Sequence, residues 1–425
     1  MAVLLVVVVA LSAVPYGSNR PFFWAFWAAI VAAIAAWYCL ALLRRGLSLR
    51  VSVRDAWLPA AGFFVVTTVL LLQLAPVGAL LFEPIDTRRG LELTSKYLAL
   101  VPGEAGFALL RWTSYGIFFF LALQPAVNRH RSVNLARAVV AVVAIEAAYA
   151  LVALSYLGDT ILVFDKESYR GVATGTFVNR NSLATYLAIG IAVATSLTMM
   201  SDKSNWRVVY VVALAIMVAT LFVTASRAGI GSAFGGAFAI VMMRRLLVRS
   251  TGFWRYAMAG GVLVGLVGAL YGSEIFDRAM FGNGFADRRA LYWETAGMIS
   301  ERPLFGFGAG SFKYAYAIYH TPEVSVSLTW DYAHSTYLAL WAGLGLPVGT
   351  VPMAIIAYLF VRIVRHEVET RSGRPAVYAA VGATVAVALH ALVDFSLEIQ
   401  AVAFLYLFVL ALGAGPALFD RSSSR

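Results

Sequence analysis

Long apolar segments separated by short polar ones run through most of the chain. Several approach the roughly 20 residues that an α-helix needs to cross a bilayer core of ~30 Å. The tenth segment contains Gly343, Gly345, Pro347 and Pro352, which predict a kink or an interruption. The pattern predicts an all-α integral membrane protein with about 12 transmembrane helices, at residues 2–15, 22–43, 57–75, 107–124, 133–157, 182–200, 207–224, 228–243, 253–272, 334–361, 376–392 and 399–418.

One polar segment is much longer than the rest and lies between the ninth and tenth apolar segments, at residues 273–333. Apolar or aromatic residues at 291, 292, 295, 298 and 299 follow the spacing of a helix, so this loop is expected to contain a short amphipathic helix. The glycine-rich residues 306–310 have no strand–helix frame of a phosphate-binding loop. They predict a turn beside a substrate path.

Composition agrees with a membrane protein. Hydrophobic residues make up 61% of the 425 residues and charged residues only 13%, against about a quarter in soluble domains. The net charge of +11 is spread over many short loops, which argues against a nucleic-acid partner. With Cys39 as the one cysteine, an intrachain disulfide and a cysteine-based metal site are excluded.

The basic residues also predict orientation. More than half of the 33 Lys and Arg residues fall on alternate short loops, which places the N- and C-termini in the cytoplasm. Residues 1–15 lack a basic start and predict a first helix rather than a cleaved signal. The 273–333 loop would then face outward, into the periplasm of a bacterium. ATP and nucleotide sugars are absent there, so a transfer reaction would need an activated substrate, and a lipid-linked one fits.

Two outward clusters carry arginines at predicted helix starts. The first is Asn179-Arg180-Asn181, which suits either N-capping with a snorkelling arginine or a functional site. The second is Arg227, in a tight turn between two spans. It suits either a lipid headgroup contact or bidentate binding of a phosphate.

Two more clusters lie in or after the long loop. Arg288 and Arg289 open the predicted loop helix, which could lie on the bilayer or clamp a pyrophosphate. His334 stands at the mouth of a span, where an ionisable residue is a candidate for chemistry, although a structural role is the alternative. Asp331 could fix its tautomer. A second pair, His390 with Asp394, competes for the catalytic role. Two histidines on separate spans with no third nearby predict no metal site.

Taken together, these clusters resemble the O-antigen ligase and polymerase family of bacterial membrane glycan transferases. The matching stretches occur in the family's order over residues ~170–400. They are Gly-Thr-Phe-Val-Asn-Arg-Asn-Ser at 175–182, Thr-Ala-Ser-Arg-Ala-Gly at 224–229, Arg289 through Glu301-Arg302-Pro303-Leu304-Phe305-Gly306-Phe307-Gly308, Ala-His-Ser-Thr-Tyr-Leu at 333–338 and His-Ala-Leu-Val-Asp-Phe at 390–395. The resemblance divides the chain into N-terminal spans (1–170), a ligase-like region (171–400) and a last span with a cytoplasmic tail (401–425).

The resemblance implies a reaction. Family members move a glycan from undecaprenyl pyrophosphate to a sugar hydroxyl at the periplasmic face of the inner membrane. The acceptor is lipid A–core for a ligase and another lipid-linked repeat for a polymerase. By this resemblance Arg227 with Arg288 or Arg289 would bind the donor pyrophosphate, and His334 would be the catalytic base. Asn179, Arg180, Asn181, Asp331, His390 and Asp394 would support them, without cofactor or metal and with inversion at the anomeric carbon. Ser335 replaces the family's usual asparagine.

Two alternatives stay open at this stage. The motifs do not separate a ligase from an O-antigen or exopolysaccharide polymerase. The number of spans and the interrupted tenth segment also suit a lipid-linked glycan transporter. Few ionisable residues lie within the spans, however, and Glu146 is the clearest case.

Overall fold

The computed structural model describes residues 1–81, 85–86, 92–93, 95–201, 203–247, 284–322, 324 and 329–419. Apart from two short hairpins and two 3₁₀ turns, the regular structure there is α-helical. The helices are α1 (Ala2–Ala13), α2 (Pro21–Arg45), α3 (Trp57–Leu72), α4 (Gly78–Leu81), α5 (Pro102–Ala126), α6 (Arg129–Tyr156), α7 (Arg180–Met200), α8 (Ser204–Val223), α9 (Arg227–Leu247), α10 (Gly284–Glu301), α11 (Phe312–Tyr319), α12 (Thr336–Thr370), α13 (Pro375–Ala391) and α14 (Gln400–Leu418).

These helices confirm the all-α membrane class. Eight of the described helices are long and apolar enough to cross a bilayer, and α1, α3 and α13 are shorter apolar helices. Each predicted segment within the described residues coincides with one of these eleven. The ninth segment, 253–272, lies outside the described residues, so the total of about 12 spans stays a prediction.

Small residues bring the central helices together. In α14 and α7, 94% and 78% of the most apolar stretch is buried, against 22% in the peripheral α2. At the crossing of α9 and α13, a Cβ added to Gly236 would lie 2.4 Å from the carbonyl oxygen of Gly382. Only glycine permits that backbone approach, which is how helices pack tightly where lipid supplies little hydrophobic driving force.

The tenth predicted segment is interrupted, as expected. Within α12, Gly345 has φ +77 and ψ 166, which breaks the helical backbone. The glycine-rich segment and the residues before it form hydrogen bonds with the backbone groups that the break leaves without helical partners. The amides of Phe307 and Gly308 donate to the carbonyls of Ala342 (2.8 Å) and Gly343 (3.1 Å), and Leu346 donates to Pro303 (2.7 Å). The 306–310 turn therefore closes a broken helix, and its place beside a substrate path stays a prediction.

The described part of the 273–333 loop contains the expected amphipathic helix, α10. Its apolar stripe is buried at Leu291, Met298 and Ile299, whereas Trp293 on another face is 74% exposed. The stripe packs against α11 and α12. The protein therefore covers this stripe, so these side chains do not face the bilayer, and a position of the helix on the membrane surface stays a prediction.

Two short antiparallel hairpins complete the regular structure. Strands β1 (Ile85–Asp86) and β2 (Glu92–Leu93) form the first. Strands β3 (Thr160–Ile161) and β4 (Phe164–Asp165) form the second, in the connection between α6 and α7. This second hairpin lies beside the candidate site.

Candidate active site

The sequence clusters meet at one end of the helical bundle. Helices α7, α9 and α12 begin there, at Arg180, Arg227 and Thr336, and α13 ends there at Ala391. The chain segments that lead into and out of these helices carry the predicted polar residues. The fold therefore brings four separate stretches of sequence to a single surface.

Asn181 joins three of these segments. Its amide nitrogen donates to Oδ2 of Asp394 at 2.9 Å, and its amide oxygen accepts from the hydroxyl of Ser226 at 2.9 Å. Ser226 in turn precedes Arg227 and caps α9 by accepting from the Gly229 amide at 3.3 Å. The Asn181 side chain thus fixes the starts of α7 and α9 against the turn after α13.

Asn179 and Asp394 hold the same network from either side. Asn179 caps α7, with its side chain accepting from the Asn181 amide at 2.7 Å, so the capping interpretation of this residue is confirmed. Asp394 is 1% exposed and also accepts from the hydroxyl of Ser396. Its backbone oxygen accepts from Thr336 at 3.2 Å, which ties α12 to the network. A buried carboxylate with these partners is a rigid anchor.

His334 lies directly before α12 in a backbone conformation that side chains seldom adopt, with φ +49. The hydroxyl of Tyr292 on α10 donates to the His334 carbonyl at 2.8 Å and holds this turn. The rings of Trp330 and Phe395 contact the imidazole edge to face, with centroids 5.5 and 5.1 Å away. The ring is therefore held by packing, and a left-handed non-glycine residue of this kind is common at functional sites.

Charges from other segments act on this imidazole. Burial and repulsion by the Arg288 guanidinium lower the pKa of His334 to about 4, and the Asp394 carboxylate opposes them only in part. Both electrostatic partners come from segments far away in sequence. At neutral pH the ring is uncharged and can accept a proton.

The two loop arginines differ in placement. Arg288 is partly buried and acts electrostatically on His334, whereas Arg289 is exposed. Successive residues on a helix point about 100° apart, which explains the difference. Arg227 is exposed at the first position of α9, and Arg180 is partly buried at the first position of α7. Guanidinium groups from three segments therefore lie at the end of the bundle that holds His334.

Asp331 does not join His334 as the sequence led us to expect. Among the described residues, Nδ1 of His334 is buried without a hydrogen-bond partner. The chain turns between the two residues, and Asp331 lines a different cavity of about 790 Å³ between α2, α3, α5 and α12. The proposed tautomer-fixing contact is therefore wrong, because the residues between Asp331 and His334 do not form the helix that would place the two side chains on one face.

His390 and Asp394 also lack the expected geometry. Helix α13 ends at Ala391, so a shared helical face does not extend to Asp394. Nδ1 of His390 instead contacts the hydroxyl of Thr185 on α7, while Asp394 is bound by Asn181 and Ser396. Both side chains are buried, and they act as anchors between helices rather than as a directly bonded pair.

Several residues contribute to this site although the sequence assigned them no role there. Tyr292 and Ser226 form contacts over 42 and 45 positions of sequence, and Tyr169 places its ring 5.6 Å from the Arg180 guanidinium. Glu146, the ionisable residue within a span, accepts from the amide (2.7 Å) and hydroxyl (3.0 Å) of Thr176. Its carboxyl group therefore supports the segment that leads to Asn179.

Within the part of the chain that the structure covers, no three His, Cys, Asp or Glu side chains cluster as metal ligands would. Protein groups that could stabilise negative charge are present as the arginines above. The absence of a metal or cofactor from the reaction stays a prediction.

Comparison with known protein families gives a match that covers part of this site. The O-antigen ligase family model matches residues 212–353, which include Arg227, Arg288, Arg289 and His334. No curated protein matches the chain. The 175–182 and 390–395 stretches lie outside the matched range, but Asn181 and Asp394 bond to each other at the same site. The chain is a multi-pass helical membrane protein in which residues 212–353 match the O-antigen ligase family model, and this match confirms the resemblance carried by its motifs.

Proposed function

We propose that this protein transfers a glycan from undecaprenyl pyrophosphate to a sugar hydroxyl at the periplasmic face of the inner membrane. One observation carries the proposal. His334, a neutral imidazole, is within the electrostatic range of Arg288 and Asp394, at the end of the bundle where Arg180 and Arg227 begin helices. A proton acceptor near several cations suits attack by a hydroxyl group on a donor with an anionic leaving group.

The arginines supply the stabilisation that this leaving group needs. As the anomeric C–O bond breaks, negative charge accumulates on the lipid pyrophosphate. Guanidinium groups can stabilise that charge, and each can form two parallel hydrogen bonds to phosphate oxygens. We assign this role to Arg227 and Arg288, and a lesser one to the exposed Arg289.

His334 completes the reaction. The acceptor hydroxyl oxygen forms a new bond to the anomeric carbon from the side opposite to the pyrophosphate, so the configuration inverts. The hydroxyl proton passes to the imidazole, and the pyrophosphate leaves with the electron pair of the broken bond. Nδ1 is enclosed, which leaves Nε2 as the nitrogen that would accept the proton.

Donor binding would improve this base. An imidazole with a pKa of about 4 is always available at neutral pH, but its affinity for a proton is weak. Repulsion by Arg288 is one cause of the low value. A pyrophosphate bound to Arg288 would offset that repulsion, so the pKa of His334 would rise when the donor is present.

The proposed acceptor is lipid A–core, which makes the protein a ligase. The family model carries that description. Joining of lipid-linked repeats is the alternative acceptor chemistry at the same site, since both reactions use the same donor and the same type of hydroxyl.

Reconstitution tests both parts of the proposal. Purified protein in proteoliposomes would be offered a defined undecaprenyl-pyrophosphate glycan with either lipid A–core or a second lipid-linked repeat. We expect glycan to appear on lipid A–core, detected by mass spectrometry. Product on the repeat alone would make the protein a polymerase. Movement of donor across the vesicle membrane without a new glycosidic bond would reject glycan transfer.

A further inference from the structure

The hairpin between α6 and α7 is held by an ion pair between a buried lysine and a partly exposed aspartate. Lys166 is 3% exposed and donates to Oδ1 of Asp159 and, at 2.9 Å, to the carbonyl of Val172. The second oxygen of Asp159 accepts from the Gly171 amide at 2.7 Å. We call Asp159, Lys166 and Gly171 the clasp. It closes the chain from 159 to 172 into a compact loop.

This loop is strained as well as closed. Asp159, Leu162 and Tyr169 all have left-handed backbones, with φ of +58, +57 and +59. Side chains seldom adopt such angles unless the surroundings enforce them. The amide of Leu162 also donates to the hydroxyl of Tyr149 on α6 at 2.8 Å, which attaches the loop to the bundle. Such a loop can hold a side chain in one place.

The side chain that it presents to the site is Tyr169. Its ring lies under the Arg180 guanidinium, 5.6 Å from centroid to carbon. Burial raises the pKa of the Tyr169 phenol, while Arg180, Asp394 and Arg288 act on it as nearby charges. The ring therefore stays neutral, and its electron-rich face attracts a cation. Tyr169 is 37% exposed, so the contact lies at the mouth of the site rather than in its core.

We propose that the clasp and Tyr169 position Arg180 as a further cation for the donor pyrophosphate. Tyr169 is a positioning residue, because it acts through Arg180 and has no assigned contact with the reacting atoms. An arginine side chain is flexible, and stacking on a fixed ring limits its conformations before the donor arrives. The inference rests on the proposed function, since it assumes a pyrophosphate donor.

A double-mutant cycle tests this role. Tyr169→Leu removes the ring, Arg180→Leu removes the cation, and Tyr169→Phe keeps the ring without the hydroxyl. We expect Tyr169→Leu to raise the donor KM about fivefold to thirtyfold, the range of a partly desolvated cation–π contact. The change in kcat should be smaller, and Tyr169→Phe should stay within about twofold of wild type. In the Arg180→Leu background, Tyr169→Leu should have almost no further effect.

Two further variants separate positioning from simple stability. Lys166→Met opens the clasp and should raise the donor KM as Tyr169→Leu does. Tyr156→Leu replaces an exposed tyrosine (84%) at the end of α6 and should leave KM unchanged. Binding of undecaprenyl pyrophosphate to each purified variant in nanodiscs, beside its melting temperature, gives a readout that does not require turnover.

The results distinguish an error in the role of Tyr169 from an error in the proposed function. A wild-type protein that binds and transfers the donor, with independent effects of Tyr169→Leu and Arg180→Leu, overturns the role of Tyr169 and leaves the proposed function intact. A fall in kcat or melting temperature without a change in donor affinity would also overturn the role of Tyr169 and leave the proposed function intact. A wild-type protein that neither binds undecaprenyl pyrophosphate nor transfers its glycan overturns both.

Discussion

His334 combines strain, burial and a low proton affinity in one residue. Its left-handed backbone is held by Tyr292, and its ring by two aromatic edges. If it accepts the proton of the acceptor hydroxyl, His334→Ala should lower kcat by about 10²- to 10⁴-fold, the usual contribution of a general base. Donor binding should remain, because the proposed ligands of the pyrophosphate are the arginines.

Substitution of a second histidine by alanine is the control for the His334→Ala experiment. His366 lies near the opposite end of α12, at the other face of the bundle. His366→Ala should leave glycan transfer in proteoliposomes unchanged. Full transfer by His334→Ala would show that the base assignment is wrong.

The pH dependence of the transfer rate should show the effect of the Arg288 charge on the pKa of His334. A protonated imidazole cannot accept a proton, so the rate falls as pH decreases through the pKa of His334. In the free protein that pKa is about 4, and the acid limb of kcat/KM should show a similarly low midpoint. The midpoint in kcat should be higher, because a bound pyrophosphate offsets the repulsion by Arg288.

Arg288→Gln offers an independent check of the same electrostatics. Loss of the guanidinium removes one cause of the low pKa of His334. The midpoint of the acid limb in kcat/KM should therefore move to higher pH. An unchanged midpoint would mean that Arg288 does not act on the reactive histidine.

The neighbouring arginines provide a natural comparison of donor affinity. Arg288 is partly buried beside His334, and Arg289 is exposed. Loss of charge-assisted hydrogen bonds to a phosphate typically costs about 1.5–3 kcal/mol. Arg288→Gln should therefore raise the donor KM about tenfold to a hundredfold, and Arg289→Gln far less. The reverse order, measured by titration with undecaprenyl pyrophosphate, would assign the donor contact to Arg289.

At the scale of single helices, the apolar pattern predicted most of the fold. Helix α2, at Pro21–Arg45, extends the segment 22–43 by only a few residues. The glycines and prolines of the tenth segment predicted an interruption, but not which residue forms it. The break falls at Gly345, because its positive φ is available to glycine alone without strain. Pro347 then follows in the first turn after the break, where a missing amide hydrogen costs little.

The contacts of the site were much harder to predict. The sequence suggested a helix cap or a functional site at Asn179-Arg180-Asn181, but it did not predict that Asn181 bonds to Ser226 and Asp394. Partners separated by 45 and 213 positions cannot be found from periodicity, which reports only the face of a helix. The expected Asp331–His334 contact is absent for a local reason, because the residues between them do not form a helix.

The close packing of residues 303–308 against the break in α12 gives a prediction about stability. A Cβ at Gly345 would lie 2.2 Å from the carbonyl oxygen of Leu304, in a backbone conformation that only glycine adopts readily. Gly345→Ala should lower the melting temperature in detergent, with a cost of at least about 1–3 kcal/mol from backbone strain. The hydrogen bonds from Phe307 and Gly308 to α12 should weaken as well.

A helical glycine in open space is the control. A Cβ at Gly297 on α10 would meet no heavy atom within 4 Å, so Gly297→Ala should be neutral or slightly stabilising. Equal melting temperatures for the two alanine variants would contradict the predicted clash between a Cβ at position 345 and the Leu304 carbonyl.

For the whole molecule, a single orientation makes the proposed chemistry possible. The site residues share one end of the bundle, and the distribution of Lys and Arg predicts that this end faces the periplasm. Only there is a lipid-linked donor the natural source of activated sugar. At the cytoplasmic face nucleotide sugars would be available, and the need for a lipid pyrophosphate would disappear.

Cysteine labelling can decide this orientation. The chain has one cysteine, Cys39, and Cys39→Ser gives a background without thiols. In that background Gly297→Cys marks α10 beside the site, and Glu369→Cys marks the opposite end of α12, where the side chain is exposed. A membrane-impermeant maleimide added to intact spheroplasts should label the Gly297→Cys variant and should reach the Glu369→Cys variant only after permeabilisation. The opposite pattern would place His334 and the arginines in the cytoplasm, and the periplasmic transfer reaction would then have to be abandoned.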